Sequence, residues 1–239
     1  RSTLFPYTTL FRSRTGITGM IWAIVGGLFS VLFRLQLGYP GQAFPILETV
    51  FGNKAEGGLI KPEFYYSLVT MHGTILVFFV LTAGLSGTFA NLLIPLQVGA
   101  RDMASPFLNM LSYWFFFLAS MVMLASLFVE TGPASGGWTM YPPLSALRQA
   151  GDGSKIGADM WLISMALFIV SSLMGGLNYI ATILNMRTKG MSMTRLPLPI
   201  WALFFTAVLG VLSFPVLLSG AILSGSRSEE RRVGKECRS

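Results

Sequence analysis

The chain has 239 residues, of which 53% are hydrophobic and only 11% charged, and its mean hydropathy is +0.64. A soluble domain carries roughly 25% charged residues, so this chain has too little charge to cover a water-facing surface and must present most of that surface to lipid. The formal charge of +7 suggests a basic binding protein, and the single cysteine excludes a disulfide framework.

Both the charge and the cysteine trace to the ends of the chain. Residues 1–13 read RSTLFPYTTLFRS and residues 227–239 read RSEERRVGKECRS. Reversing one and complementing its codons yields the other. Thr3 as ACA becomes Cys237 as TGT, Phe5 as TTT becomes Lys235 as AAA, and Pro6 as CCC becomes Gly234 as GGG. All thirteen positions obey the relation, with one nucleotide string behind them. That string resembles a short-read sequencing adapter translated on both strands, so the two segments are set aside from fold reasoning. Without their seven basic and three acidic residues, 14–226 holds ten basic and seven acidic residues, net +3, and no cysteine. The basic character is partly an artefact of the ends, and nothing argues for nucleic-acid binding.

Within 14–226 the expected fold is all-α, a multi-pass transmembrane helix bundle. A hydrocarbon core of about 30 Å needs about 20 apolar residues of helix. Such runs occur at about 17–37, 68–95, 107–129, 160–183 and 200–224. They must be helices, because lipid cannot satisfy backbone groups that the segment leaves open. Gly84, Gly87, Gly175 and Gly176 suit close helix packing. Orientation follows from basic residues in the short connections. Arg101, then Arg187, Lys189 and Arg195, fall on the side of Arg14. The other two connections balance their charges: Lys54 and Lys61 against Glu48, Glu56 and Glu63, then Arg148 and Lys155 against Glu130, Asp152 and Asp159. The N-terminus is therefore expected in the cytoplasm.

Ionisable residues inside spans cost about 2.5–3.5 kcal/mol on insertion scales and default to functional readings. Arg34 and His72, the only histidine, fall at similar depth near the outer ends of the first two spans. Arg34 either snorkels to the interface or serves a buried partner. His72 either bonds a neighbouring helix or ligates a haem iron. Toward the other side lie Asn91, Asp102 and Asn109, with Ser171, Ser172 and Asn178 on the fourth span. They are either helix-joining polar residues or a carboxylate-fed path for water and protons.

Five stretches point one way: TMHGT (70–74), GARDMASPFLN (99–109), GWTMYPPLS (137–145), SSLMGGLNYIATILNMRTKGM (171–191) and LPLPIW (196–201). In order and spacing they resemble subunit I of the haem–copper oxidases, of the bacterial cytochrome c oxidase type. The resemblance covers essentially all of 14–226 and the first five of that subunit's usual twelve helices. It implies that His72 is an axial ligand of a low-spin haem, type a expected, and that Arg34 hydrogen-bonds a peripheral haem substituent. Tyr65 and Trp138 match residues beside the haem propionates. Asp102 matches the mouth of a proton channel, Asn91 and Asn109 the asparagines just inside it, and Ser171, Ser172 and Asn178 polar positions farther along. Gln36 stands where some members have a glutamate of an outer cation site, so no such site is expected.

The family's second haem and copper require histidines from later helices, so this segment alone is expected to be catalytically incomplete. The resemblance further implies a parent that reduces O2 to water and pumps protons across a bacterial cytoplasmic membrane. Its partners would be oxidase subunits II and III, with cytochrome c as electron donor. A quinol oxidase of the same superfamily shares every motif quoted, and a non-redox transporter or scaffold is the alternative from another class.

Overall fold

The computed structural model describes residues 5–129, 132–141 and 155–236, with side chains over 14–129, 132–141 and 156–224. The loop charges Glu130, Arg148 and Asp152 lie outside the described residues, as do residues 1–4 and 237–239. Among the described residues the chain is all-α and has no strand. Its α-helices are α1 (Phe5–Gly38), α2 (Pro45–Phe51), α3 (Pro62–Thr74), α4 (Ser86–Val98), α5 (Pro106–Ala125), α6 (Lys155–Asn185) and α7 (Leu198–Glu236).

Among the described residues five stretches are long and apolar enough to cross a membrane: Arg14–Gly38, Pro62–Val98, Pro106–Phe128, Ile156–Asn185 and Leu198–Ser224. Each contains the core of one expected span. The second is continuous in helical winding, because a π-wound segment over Ile75–Leu85 follows α3 and leads into α4. At 37 residues it far exceeds the roughly 20 that a bilayer core requires. The expected span 68–95 missed its first turns because Glu63 and two tyrosines interrupt the apolar run there.

Starts and stops are written locally. Pro62 and Pro106 open helices at positions where a missing N–H costs nothing. α4 ends at Gly99, whose φ of +75° lets its N–H turn back to the Pro95 carbonyl. The short α2, and the 3-10 turns that follow it over Gly52–Gly58, lie in a connection expected to be a plain loop.

Burial runs opposite to that of a water-soluble helix. On α1 a stripe of Ile17, Met20, Ile21, Ile24, Leu28 and Val31 faces outward, at the three-and-four spacing of one helix face. The polar residues go inward. Thr74, Asn91, Asn109, Ser120, Ser164, Asn178 and Thr182 are at most 2% exposed. Lipid rewards that inversion, since polar side chains find hydrogen-bond partners only between helices.

Packing divides into two compact units. The first comprises Arg1–Ile21, Phe78–Ser120 and Met165–Ala221. Its core joins Ala90, Ile94 and Val98 of α4 to Ile183 of α6 and Ile200 of α7. Phe79, Phe116 and Phe168 cluster at centroid distances of 5.6 and 5.9 Å from Phe79. Gly19 and Gly84 let two backbones nearly touch, and a Cβ on Gly19 would lie 2.9 Å from Gly84 Cα.

The second unit comprises Trp22–Val77, Met121–Ser164 and Ile222–Ser239. Leu68, Met71, Ile75 and Met123 are fully buried in it. Lys54 donates to the Leu127 carbonyl at 2.5 Å and lies 5.6 Å from the Phe64 ring centroid. Burial lowers its pKa. On the same connection Lys61 pairs with Glu56 at 2.9 Å, and the ammonium holds that carboxyl below its ordinary range.

Candidate functional site

In the second unit every residue of TMHGT has a fixed task. Thr70 accepts a 2.9 Å bond from the Gly137 N–H and so anchors the loop that carries Trp138. Met71 is fully buried and its sulfur lies 3.8 Å from the Ser126 hydroxyl, which donates to the Met123 carbonyl. Gly73 makes room for the Trp138 indole, whose Cδ1 lies 3.2 Å from where a Cβ would stand. Thr74, fully buried, accepts the indole N–H of Trp161 at 3.1 Å.

His72 stands in the middle of this frame. Its Nδ1 lies 2.7 Å from the Gly26 carbonyl. A carbonyl only accepts, so Nδ1 carries the proton and Nε2 keeps its lone pair for a ligand bond. Gly26 is suited to that approach, since a Cβ there would lie 2.9 Å from Leu76 Cδ2. Phe33 meets the imidazole edge-on at 5.5 Å and Tyr65 at 6.0 Å. Tyr65, His72 and Trp138 therefore share one neighbourhood.

Arg34 is exposed, with no hydrogen bond or ion pair among the described residues. Its neighbour Phe33 takes the inward position. Gln36, where a cation ligand was discounted, accepts the Ile60 N–H at 3.4 Å.

No group of three or more His, Cys, Asp or Glu among the described residues could hold a metal ion. With one ring nitrogen held by a backbone carbonyl, His72 could ligate a metal or a metal-bearing cofactor through the other.

The first unit carries the amide group. Asn91 and Asn109 are 1% and 2% exposed, and Asn109 Nδ2 donates to Asn91 Oδ1 at 2.8 Å. Asn91 Nδ2 donates to the Gly87 carbonyl at 2.6 Å and to the Tyr179 hydroxyl at 3.2 Å. A cavity of about 140 Å³ opens beside them, with Asn91, Ser112, Ser171, Ser172 and Tyr179 on its wall. That is room for several waters. Ser171 donates to the Ser112 carbonyl at 2.6 Å.

Three expected path residues are off the cavity wall: Asn109 reaches it only through Asn91, and Asn178 and Asp102 lie elsewhere. Asn178 is a clamp: its Oδ1 accepts the Ser105 N–H at 2.9 Å and its Nδ2 donates to the Ser105 carbonyl at 3.2 Å. With Thr182, which accepts the Ala104 N–H at 2.9 Å, it ties the loop after α4 to α6. Asp102 sits on that tethered loop, where its Oδ1 accepts the Met103 N–H at 2.5 Å. Neither lines the cavity.

Tyr179 and Ser112, which do line it, escaped the sequence reading. Ser112 falls three residues after Asn109 and Tyr179 directly after Asn178. A helical-face projection from Asn109 would have found Ser112. Nothing local distinguishes Tyr179 from an ordinary membrane tyrosine.

Five membrane-length helices with polar residues turned inward, and one imidazole prepared for coordination, define a polytopic α-helical membrane protein with a candidate redox-cofactor ligand. Comparison with known proteins makes this specific. The chain belongs to the family Cytochrome C and Quinol oxidase polypeptide I, which it matches over residues 14–230.

It is 42% identical over 207 residues to the alternative cytochrome c oxidase subunit 1 of Bradyrhizobium diazoefficiens, covering 87% of this chain and 32% of that protein. To the putative cytochrome c oxidase subunit 1-beta of Streptomyces avermitilis it is 36% identical over 220 residues, or 92% of this chain and 35% of the relative. To the heme-copper oxidase subunit I+III of Aeropyrum pernix it is 36% identical, over 87% of this chain and 23% of the relative. The chain thus spans about a third or less of the length of these relatives.

Proposed function

We propose that the chain is part of the catalytic subunit of a respiratory terminal oxidase. The parent reduces O2 to water with electrons from cytochrome c and pumps protons across a bacterial cytoplasmic membrane. The observation that carries this reading is His72, with Nδ1 tied to the Gly26 carbonyl at 2.7 Å, so that Nε2 would ligate the iron of a low-spin haem of type a. Bound there, the haem would supply one-electron transfer. The chain's own residues orient the ligand and shield it. Phe33 walls the ring and is itself backed by Tyr65, and Trp138, packed on Gly73, covers the adjacent turn. Exposed Arg34 is available to a peripheral haem substituent.

Asp102 collects protons at the cytoplasmic side, and the cavity beside Asn91 holds the water that carries them inward. Asn109 supports this path through Asn91, and Ser171 and Ser172 line its continuation. Asn178 acts on it indirectly, by holding the Asp102 loop. The basic residues Arg14, Arg101, Arg187, Lys189 and Arg195 support a cytoplasmic N-terminus. The names of the relatives favour cytochrome c over quinol as donor. The fused subunit I+III of Aeropyrum pernix supports a subunit III partner, and subunit II is the expected carrier of donor electrons.

Segments 1–13 and 227–239 are assigned to adapter sequence. Their codon complementarity supports this, and so does a family match that begins at residue 14, although it extends to 230. A long read of the source DNA that reproduced both tags would overturn that assignment.

The function is tested in the full-length subunit by His72→Ala. Low-spin haem absorption should disappear from the purified complex, and an unchanged spectrum would refute the ligand assignment.

A further inference from the structure

We propose that Tyr179 is a positioning residue of the proton path: its hydroxyl holds the Asn91–Asn109 amide pair in place from a second helix and extends that pair into the serine-lined cavity. The inference rests on the proton-path reading above and adds to it a residue, a direction and a mechanism.

A buried amide pair can be joined in two senses, with either asparagine donating to the other. The surroundings of Asn91 select one. Its Nδ2 has two acceptors, the Gly87 carbonyl at 2.6 Å and the Tyr179 hydroxyl at 3.2 Å. The carbonyl of Gly87 sits within Asn91's own helix and can only accept, so it decides which end of the amide carries the N–H groups. Tyr179 comes from α6, 88 positions away in sequence, and supplies the tertiary constraint. With both protons of Nδ2 committed, Oδ1 must face Asn109, whose Nδ2 donates to it at 2.8 Å.

One sense of donation then runs through the whole cluster. Asn109 donates to Asn91, and Asn91 donates to Tyr179. Among the described residues no acceptor takes the proton of the Tyr179 hydroxyl, which borders the cavity shared with Ser112, Ser171 and Ser172. At the other end Asn109 Oδ1 is buried and has no partner among the described residues. A buried acceptor of this kind is costly unless water serves it. The cluster thus accepts a water at Asn109 and donates to a water at Tyr179. Hydrogen bonds aligned in one sense polarise one another, so waters on the two sides are oriented alike. The amides themselves pass no proton, and their function is to set the direction in which the flanking waters point.

Small residues make the placement feasible. Cβ atoms added to Gly87 and Gly175 would lie 3.9 and 3.8 Å from the Tyr179 oxygen, so two helices leave a recess in which the hydroxyl reaches Asn91.

The test uses the full-length subunit in its oxidase complex, with Tyr179→Phe removing the one oxygen. A hydrogen bond of about 1 kcal/mol corresponds to a factor of about five, so turnover should fall about fivefold. Proton pumping in proteoliposomes should fall with it, while low-spin haem absorption stays unchanged. In an Asp102→Asn background the same substitution should slow turnover little further, because both residues act on one path. Wild-type turnover and pumping in Tyr179→Phe, alongside impaired Asp102→Asn, would overturn the role of Tyr179 and leave the path reading standing. Unimpaired Asp102→Asn would remove the path reading and this inference together. Fully additive slowing, or altered haem absorption in Tyr179→Phe, would reduce Tyr179 to a packing residue.

Discussion

Replacing Gly19 by alanine tests whether small residues set the helix approach in the first unit. The new Cβ would stand 2.9 Å from Gly84 Cα and 3.6 Å from Gly84 C. Carbon atoms prefer about 3.5–4.0 Å, and both obstacles are backbone, so no side chain can swing aside. The two segments would have to part by about 0.6–1 Å, which forfeits a quarter to a half of each dispersion well on that face. Gly16 and Gly87, where an added Cβ would lie 3.4 Å from the methyl groups of Thr88 and Thr15, mark the same close approach, which opens as well. Overpacking of this kind costs about 1–3 kcal/mol.

Alanine also gains about 1 kcal/mol of helix propensity over glycine, so the comparison needs a control that gains the same. Gly27 lies on the same helix, and a Cβ there would meet nothing within 4 Å. Gly19→Ala should therefore be less stable than Gly27→Ala by about 1–3 kcal/mol in reversible unfolding in mixed micelles. Gly84→Ala should resemble Gly19→Ala. The double variant should cost less than the sum, because one separation relieves both clashes. Equal stability of Gly19→Ala and Gly27→Ala would refute the close-approach argument.

Two further outcomes follow from the same geometry. Trp161→Phe removes the donor to fully buried Thr74. It should lower stability by about 1 kcal/mol, seen as an earlier unfolding midpoint, and an unchanged midpoint would show that the bond adds nothing. In the full-length subunit Asp102→Asn should slow turnover and abolish proton pumping while leaving low-spin haem absorption intact. Normal pumping would refute its role as proton collector.

The sequence by itself determined the span count, the helical state and the set of polar residues worth attention, and the reason is the solvent. Lipid leaves backbone groups no partner outside a helix, so 20-residue apolar runs admit one conformation. It also makes each inward polar residue expensive, so His72, Asn91 and Asn109 stand out without any knowledge of packing. Linear sequence could not decide which polar atoms meet, because that depends on how each helix is rotated and how far it slides along its neighbour. Only the tertiary structure put Phe33 inward and Arg34 outward, one residue apart on α1. Only it committed both ends of the Asn178 amide to the Ser105 peptide and placed Tyr179 against Asn91 across 88 positions of chain. One residue of shift on a helix turns a side chain by about 100°, a rotation to which hydropathy is blind and which decides every hydrogen bond in the site.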